Sequence, residues 1–170
     1  MPSDEEIQEA ILDILCEQFQ RAPGTIILNG ESVVEDVLDR VPSAAGEAVI
    51  ANFQRLYNDR QIDFTQTMGD VGTVELEAGG VDASERLSEE TIIPDADVEA
   101  VLEALAAVES DPQALRRDEL RAETGLGEDP LDMVVWYLGK KGFVDAQIRV
   151  GRPWYGGVEL TDAGREFFDG

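Results

Sequence analysis

Cationic and aromatic residues that suit contact with nucleic acid gather in the last part of the chain. Guanidinium and ammonium groups neutralise phosphate, and aromatic rings stack on bases. Eight candidate DNA-binding residues share these properties: Arg116, Arg117, Lys140, Lys141, Arg149, Arg152, Trp154 and Tyr155. Each group has an alternative interpretation. The arginines could pair with surrounding carboxylates on a solvated face, and Trp154 and Tyr155 could shield a sheet at a hairpin tip.

The sequence around these residues predicts two helices, a β-hairpin and a last helix. Gly125 and Gly142 end the two helices, because glycine adopts the left-handed conformation that closes a helix. Thr161 is the expected cap of the last helix. The expected elements are a helix over 115–126, a helix from about 128 to 141, a strand over 143–150, a turn over 151–156 and a strand over 157–160.

The first half of the chain predicts the same order of elements. Ser3 and Glu6 have the spacing of a capping box before the first apolar stripe. Ser43 is the expected cap of a third helix, and Gly79-Gly80 precede a small polar helix. The remaining expected elements are a short strand over 25–28, a helix over 33–38 that stops at Val41-Pro42, and a hairpin of strands 62–67 and 73–76.

Matching residues at one fixed offset indicate an internal repeat. Five identical pairs are separated by 84 residues: Gly72 and Gly156, Val74 and Val158, Glu75 and Glu159, Leu76 and Leu160, Gly80 and Gly164. The expected domains are therefore residues 1–90 and 91–170. Each is small enough that its own core would be marginal, so we expect the two to pack together or the chain to dimerise.

The second half resembles the winged helix-turn-helix transcriptional regulators of archaea and bacteria. The resemblance lies in the run "LRRDELRAETGL…LDMVVWYLGKKGFV" and in the ending Leu160-Thr161-Asp162-Ala163-Gly164-Arg165, and it covers about the last third of the chain. Residues 3 to 87 resemble the family more weakly, because Leu76-Glu77-Ala78-Gly79-Gly80 lacks the capping threonine. The resemblance implies DNA binding, with the third helix in the major groove and the wing against the backbone or minor groove.

Two features depart from that pattern. The helix from about 128 to 141 is the third helix of the second half, after a first helix that begins near Asp95. Its exposed start is expected to carry Glu128, Asp129 and Asp132, which would repel phosphate. The first half's third helix is expected to begin with small residues, where a DNA reader carries Arg, Lys, Asn or Gln. These residues, Ser43, Ala44 and Ala45, favour contact with protein, either the other half or another subunit, unless they simply cap and begin the helix.

The chain is strongly acidic throughout. Its 37 Asp and Glu against 13 Lys and Arg give a net charge of −24 and an isoelectric point near 4.1. Residues 1–94 carry 20 acids and 5 bases, a net of −15, and residues 95–170 carry 17 acids and 8 bases, a net of −9. Carboxylates spread over every helix, with scarce lysine, resemble the surfaces of proteins from extreme halophiles, and molar salt would screen this charge over about 3 Å.

The sequence gives little support for a catalytic function. The chain has no histidine and one cysteine, so the commonest general base and the usual zinc ligands are missing. We expect no enzyme activity, metal or cofactor, and we expect Cys16 to be a buried apolar residue. The N-terminus lacks a signal-peptide pattern and no long apolar run occurs, which predicts a cytoplasmic protein that does not bind membrane.

The sequence therefore predicts an α+β protein of two tandem winged-helix domains. Its expected function is that of a DNA-binding transcriptional regulator, in which the second wing contacts DNA while the first domain binds itself or another protein, with a homodimer as one form. The alternative is a winged-helix module that binds protein and not DNA.

Overall fold

The chain folds into α-helices and two small antiparallel sheets, and the computed structural model describes residues 1–24, 27–108, 114–151 and 153–170. Its contacts divide it into two units, Met1–Ile92 (unit 1) and Ile93–Gly170 (unit 2). The elements of unit 1 are α1 (Asp4–Arg21), β1 (Ile27–Asn29), α2 (Gly30–Arg40), α3 (Gly46–Asn58), β2 (Ile62–Thr67), β3 (Asp70–Leu76) and α4 (Ala78–Ser88).

Unit 2 has the same order of elements. They are α5 (Asp95–Ala106), β4 (Ala114–Arg116), α6 (Arg117–Thr124), α7 (Glu128–Lys141), β5 (Val144–Ile148), β6 (Tyr155–Leu160) and α8 (Asp162–Asp169). In each unit the third strand lies in the middle of the sheet, giving the strand orders β1-β3-β2 and β4-β6-β5. The helix–strand–helix–helix–hairpin order expected for the first half is confirmed, and the second half has the same order, with the short strand β4 where the sequence predicted the start of a helix.

Local signals in the sequence place the first helix of unit 1. The Ser3 hydroxyl accepts a hydrogen bond from the backbone N–H of Glu6, and the Glu6 carboxylate accepts one from the N–H of Ser3, so the predicted capping box is confirmed. One stripe of α1 is buried against the rest of the unit: Ile7, Ile11, Leu12, Leu15, Cys16 and Phe19. Burial of this stripe is the main contribution of α1 to the core.

The two hairpins pair with the same register. Ile62 lies opposite Leu76 in unit 1, and Val144 lies opposite Leu160 in unit 2. Each hairpin also contains an irregularity two to four residues into its first strand, between Phe64 and Gln66 and between Ala146 and Ile148. These bulges twist an edge strand, which discourages pairing with other chains.

The same close junction joins hairpin and last helix in both units. The N–H groups of Glu77 and Thr161 each donate to a carbonyl oxygen 3.1 Å away, on Gln61 and Phe143 respectively. One turn later, a Cβ on Gly80 or Gly164 would overlap that same carbonyl oxygen. The glycine pair found from the 84-residue offset is therefore required by close backbone approach.

Several expected boundaries are wrong. Ser43 does not cap α3, which begins at Gly46 after Ala45 without a side-chain cap. Leu115 and Arg116 belong to β4 and not to the following helix, because pairing with Val158 and Gly157 fixes them in extended conformation. Tyr155 belongs to β6 and not to the turn, since it pairs with Ile148.

Two further boundaries differ. Gly79 and Gly80 lie inside α4, which begins at Ala78, and their lack of a side chain lets this turn pass close to the carbonyls of Arg60 and Gln61. Of the short strand expected over residues 25–28, Ile27 and Leu28 lie in β1, and Thr25 and Ile26 lie outside the described residues.

None of the helices in the described part of the chain is long and apolar enough to cross a membrane.

Substituting Gly164→Ala should destabilise unit 2 by about 1–3 kcal/mol, because the new methyl group has to displace the Phe143 carbonyl. Both tryptophans of the chain, Trp136 and Trp154, lie in unit 2, so denaturant unfolding followed by tryptophan fluorescence reports on it.

Gly139→Ala is the matched control, because no atom lies within 4 Å of a Cβ at this helical position. We expect it to leave stability unchanged or to raise it by up to about 1 kcal/mol, since alanine favours helix over glycine. Equal destabilisation by both substitutions would contradict the close-approach explanation.

Candidate nucleic-acid and protein interface

A buried carboxylate ties together three elements of unit 2. Arg117, the first residue of α6, donates to both carboxylate oxygens of Asp132 on α7, from Nε and from one terminal nitrogen, each at 2.9 Å. The hydroxyl of Tyr155 on β6 donates to the same carboxylate at 2.7 Å. The side chains of Arg117 and Asp132 are only 15% and 11% exposed, and Tyr155 is fully buried.

The geometry of this network is that of a strong charge-assisted pair. A bidentate guanidinium–carboxylate contact fixes direction as well as distance, and breaking one partner of a buried pair leaves a charge without compensation. The hydrogen bond to Asp132 raises the pKa of Arg117 further above its already high ordinary value. Burial, followed by the hydrogen bond to Asp132, raises the pKa of Tyr155 well above its ordinary value.

The network also determines what the start of α7 presents to solvent. Glu128 and Asp129 are exposed in the first turn, where acidic residues stabilise the helix dipole. Glu128 accepts from Arg121 at 3.1 Å and lies 3.8 Å from Arg117. The expectation that Asp132 is exposed beside them is wrong, because its carboxylate turns inward to Arg117 and Tyr155.

The structure separates the eight predicted DNA-binding residues into groups. Arg116, Lys140, Lys141 and Arg149 are exposed. Arg117 and Tyr155 are not available, because both are held by Asp132, so the interpretation of Tyr155 as an exposed aromatic is wrong.

Trp154 is half-buried, and its ring lies 4.5 Å from that of Tyr155 at 60°. This matches the alternative in which the two aromatics shield the sheet. Arg152 lies outside the described residues. Lys141 lies 5.3 Å from the centre of the Tyr137 ring, a cation–π distance.

Arg149 is placed at the hairpin by its own backbone and by a glycine. Its N–H donates to the Trp154 carbonyl at 2.7 Å, which closes the hairpin after β5. Its guanidinium lies across β6 at Gly156, where a Cβ would come within 2.6 Å of the Arg149 nitrogens. Gly156 therefore lets this cation lie flat on the sheet.

In unit 1, a buried amide connects the first and third helices. Asn52 of α3 is fully buried, accepts from Gln8 at 2.8 Å, and donates to Asp4 at 3.1 Å and to the Ala48 carbonyl at 2.9 Å. Arg55 of α3 forms an ion pair with Asp4. Hydrogen bonds from Arg55 and Asn52 lower the pKa of Asp4.

The predicted protein-contact residues of unit 1 lie before α3 and not on it. Ser43 and Ala45 are exposed and Ala44 is half-buried. The exposed residue of the first turn of α3 is Glu47, so this helix also begins without an exposed cation. In both units, an arginine of the helical pair is engaged by a carboxylate of its own unit.

Sequence reasoning missed the two buried polar residues at the centre of these networks. One signal was present for Asp132, which interrupts an otherwise apolar run between Leu131 and Met133-Val134-Val135 on the buried face of α7. A charged residue in such a position is buried only with a partner. No comparable signal marks Asn52, since an isolated amide is ordinary on a helix surface.

Three carboxylates lie together on the sheet of unit 1. Oxygen atoms of Asp63, Glu75 and Glu77 all lie within 4.8 Å of one another, and within the described residues this is the group whose spacing could hold a metal ion. Asp63 is exposed, and Glu75 and Glu77 are half-buried.

Comparison with known proteins finds a likeness to solved structures but not to families or curated sequences. No protein-family model matches the chain, and no curated protein matches its sequence. Among solved structures, the chain is similar to ScpB from Mycobacterium tuberculosis, with 17% identity over 98% of this chain and 97% of that one, and a TM-score of 0.29.

Removing the Tyr155 hydroxyl with Tyr155→Phe should cost unit 2 about 1.5–3 kcal/mol at neutral pH, because a hydrogen bond to a buried charged group is lost. The free energy of unfolding, measured in denaturant by tryptophan fluorescence, reports the change. A loss below about 0.5 kcal/mol would contradict the strength assigned to this contact.

The same variant tests how the stability of unit 2 depends on pH. The folded state holds the phenol proton to higher pH than the unfolded state, so wild-type stability should fall as pH rises above about 10, the ordinary tyrosine pKa. Tyr155→Phe should show a flatter decline above that pH, because the raised pKa is removed with the hydroxyl. Parallel declines in the two proteins would show that Tyr155 does not carry this dependence.

Proposed function

We propose that both units are winged helices and that the protein acts as a non-enzymatic protein-interaction module rather than as a reader of duplex DNA. The winged-helix assignment is supported by the helix–strand–helix–helix–hairpin order and the central third strand in each unit. Equivalent registers and the repeated glycine junction support an internal duplication.

The observation that carries the functional proposal is the state of the third helix in unit 2. Its exposed first turn carries Glu128 and Asp129. Of the two nearby arginines, Arg117 is committed to Asp132 and Arg121 pairs with Glu128.

A helix that enters the major groove needs cations toward phosphate and donors toward bases. The first turn of the third helix in unit 2 offers carboxylates instead, and the exposed lysines of this helix, Lys140 and Lys141, lie at the opposite end. A net charge of −24 also opposes approach to DNA at ordinary salt.

DNA contact through the hairpin of unit 2 is the second candidate. Arg149 lies across β6 and is exposed, and Arg116 is exposed on β4 of the same sheet. This arrangement would suit contact of a wing with the sugar-phosphate backbone of DNA, without use of the third helix. The salt-tolerant acidic surface expected from the sequence would allow it where molar salt screens the overall charge.

A fluorescence anisotropy titration of a labelled mixed-sequence duplex distinguishes the two candidates. We expect no saturable binding by folded protein between about 0.3 M and 3 M KCl, because the first turn of the third helix presents carboxylates where phosphate contacts would be needed. Circular dichroism on the same samples establishes that the protein is folded at each salt concentration.

Saturable duplex binding that the double substitution Arg116→Ala, Arg149→Ala weakens would overturn the proposal in favour of the wing mechanism. The matched control is Arg21→Ala, Arg86→Ala, which removes the same charge from unit 1. Binding weakened equally by both pairs would also count against the interaction module, and would indicate diffuse contact with DNA.

A further inference from the structure

One edge of the sheet in unit 1 places like charges directly opposite each other. Asp63 on β2 is paired with Glu75 on β3, and Glu77 follows at the end of that strand. Like charges directly opposite on antiparallel strands are destabilising. Unit 2 has the equivalent pair, Asp145 opposite Glu159. The protein thus retains an unfavourable arrangement at one position of its hairpin in both units.

In unit 1, Asp63 and Glu77 border a concave surface with an aromatic wall. The cavity has a volume of about 460 Å³ and is lined by Tyr57, Asn58, Arg60, Ile62, Asp63 and Glu77. The Tyr57 side chain is 46% exposed, and its ring meets Phe64 edge-on at 5.7 Å, which holds the ring in position. We call the surface formed by Tyr57, Asp63 and Glu77 the Tyr57 face.

The chemistry of the Tyr57 face is that of a site for organic cations. An aromatic ring attracts an ammonium or guanidinium group, and carboxylates beside it accept the group's hydrogen bonds. Arg60 also lines the cavity, but the two carboxylates of Asp63 and Glu77 outweigh its single charge. The volume lies in the range that accepts long side chains or a small ligand, and is far larger than a metal ion requires.

Unit 2 keeps the like-charge pair but not the rest of the surface. The paired registers relate Ile62 to Val144 by an offset of 82 residues and Leu76 to Leu160 by an offset of 84. By these offsets, Gly139 stands in place of Tyr57 and Thr161 in place of Glu77. Arg116 also lies on β4 two residues from Ala114, the partner of Glu159, so a cation shares that face of the sheet. The aromatic wall and the third carboxylate therefore distinguish unit 1 from unit 2.

We propose that the Tyr57 face binds an arginine- or lysine-rich segment of another protein, an inference that rests on the proposed interaction function and gives its partner a chemistry. Charge complementarity favours this occupant over a second copy of the chain, because the chain carries a net charge of −24. Unit 1 itself has 20 acidic and 5 basic residues, so approach of a basic segment is favoured from long range.

The test uses the full chain and a fluorescein-labelled peptide of alternating arginine and glycine, at about 0.3 M salt to suppress diffuse attraction. The double substitution Asp63→Asn, Glu77→Gln should weaken peptide binding roughly threefold to tenfold, because two charge contacts of an exposed type are lost. Its matched control, Asp145→Asn, Glu159→Gln, removes the same charge from the equivalent hairpin of unit 2 and should change affinity by less than about twofold.

The aromatic wall is tested separately from the charge. Tyr57→Leu should weaken binding by about twofold to fivefold, as the loss of a cation–π contact requires, while Tyr57→Phe keeps the ring and should leave affinity within about twofold of wild type. Circular dichroism of each variant establishes that unit 1 remains folded.

Equal weakening by the two double substitutions would overturn the proposal, because the peptide would then sense only overall charge. Stabilisation of the wild type by Ca²⁺ that Asp63→Asn, Glu77→Gln abolishes, with peptide affinity unchanged, would overturn it in favour of a metal ion. These failures differ from a failure of the proposed function, which would appear as saturable binding of duplex DNA.

Discussion

The carboxylate of Asp132 is the interaction on which the arrangement of unit 2 depends. It lies on the buried face of α7 and receives Arg117 from α6 and Tyr155 from β6, so helix, helix and sheet meet at one charge. Burying a carboxylate is costly unless its oxygens are fully hydrogen-bonded. Satisfying it fixes the direction of α7 relative to the hairpin, and it commits a guanidinium that would otherwise face solvent.

The pairing of Arg117 with Asp132 limits which charges the surface of unit 2 can offer to a binding partner. Arg117 is paired with the buried Asp132 in unit 2, whereas the pair of Arg55 with Asp4 in unit 1 lies at the surface. What remains exposed at the start of α7 is acidic. The side chains that distinguish unit 1 from unit 2, Tyr57 and Glu77, lie beside the hairpin and suit a basic segment of protein.

Local and periodic signals in the sequence predicted the helices and strands. They did not predict which side chains tertiary packing brings together as partners. The capping box of Ser3, the end of α7 at Gly142 and the Gly80 and Gly164 pair could be found because each depends on a short stretch or a fixed offset. The burial of Tyr155 could not, because it depends on a carboxylate from another element. The Tyr57 face likewise exists only once β2 and β3 have paired.

The most direct test of this account is a double-mutant cycle on Arg117 and Asp132, using Arg117→Met, Asp132→Leu and both together, with unfolding followed by tryptophan fluorescence. The buried bidentate pair predicts a coupling free energy of about 1.5–3 kcal/mol or more, with the double variant more stable than the sum of the single losses implies. A coupling within about 0.5 kcal/mol of zero would mean that Arg117 is not committed to Asp132 in solution, and would return it to the residues available for DNA.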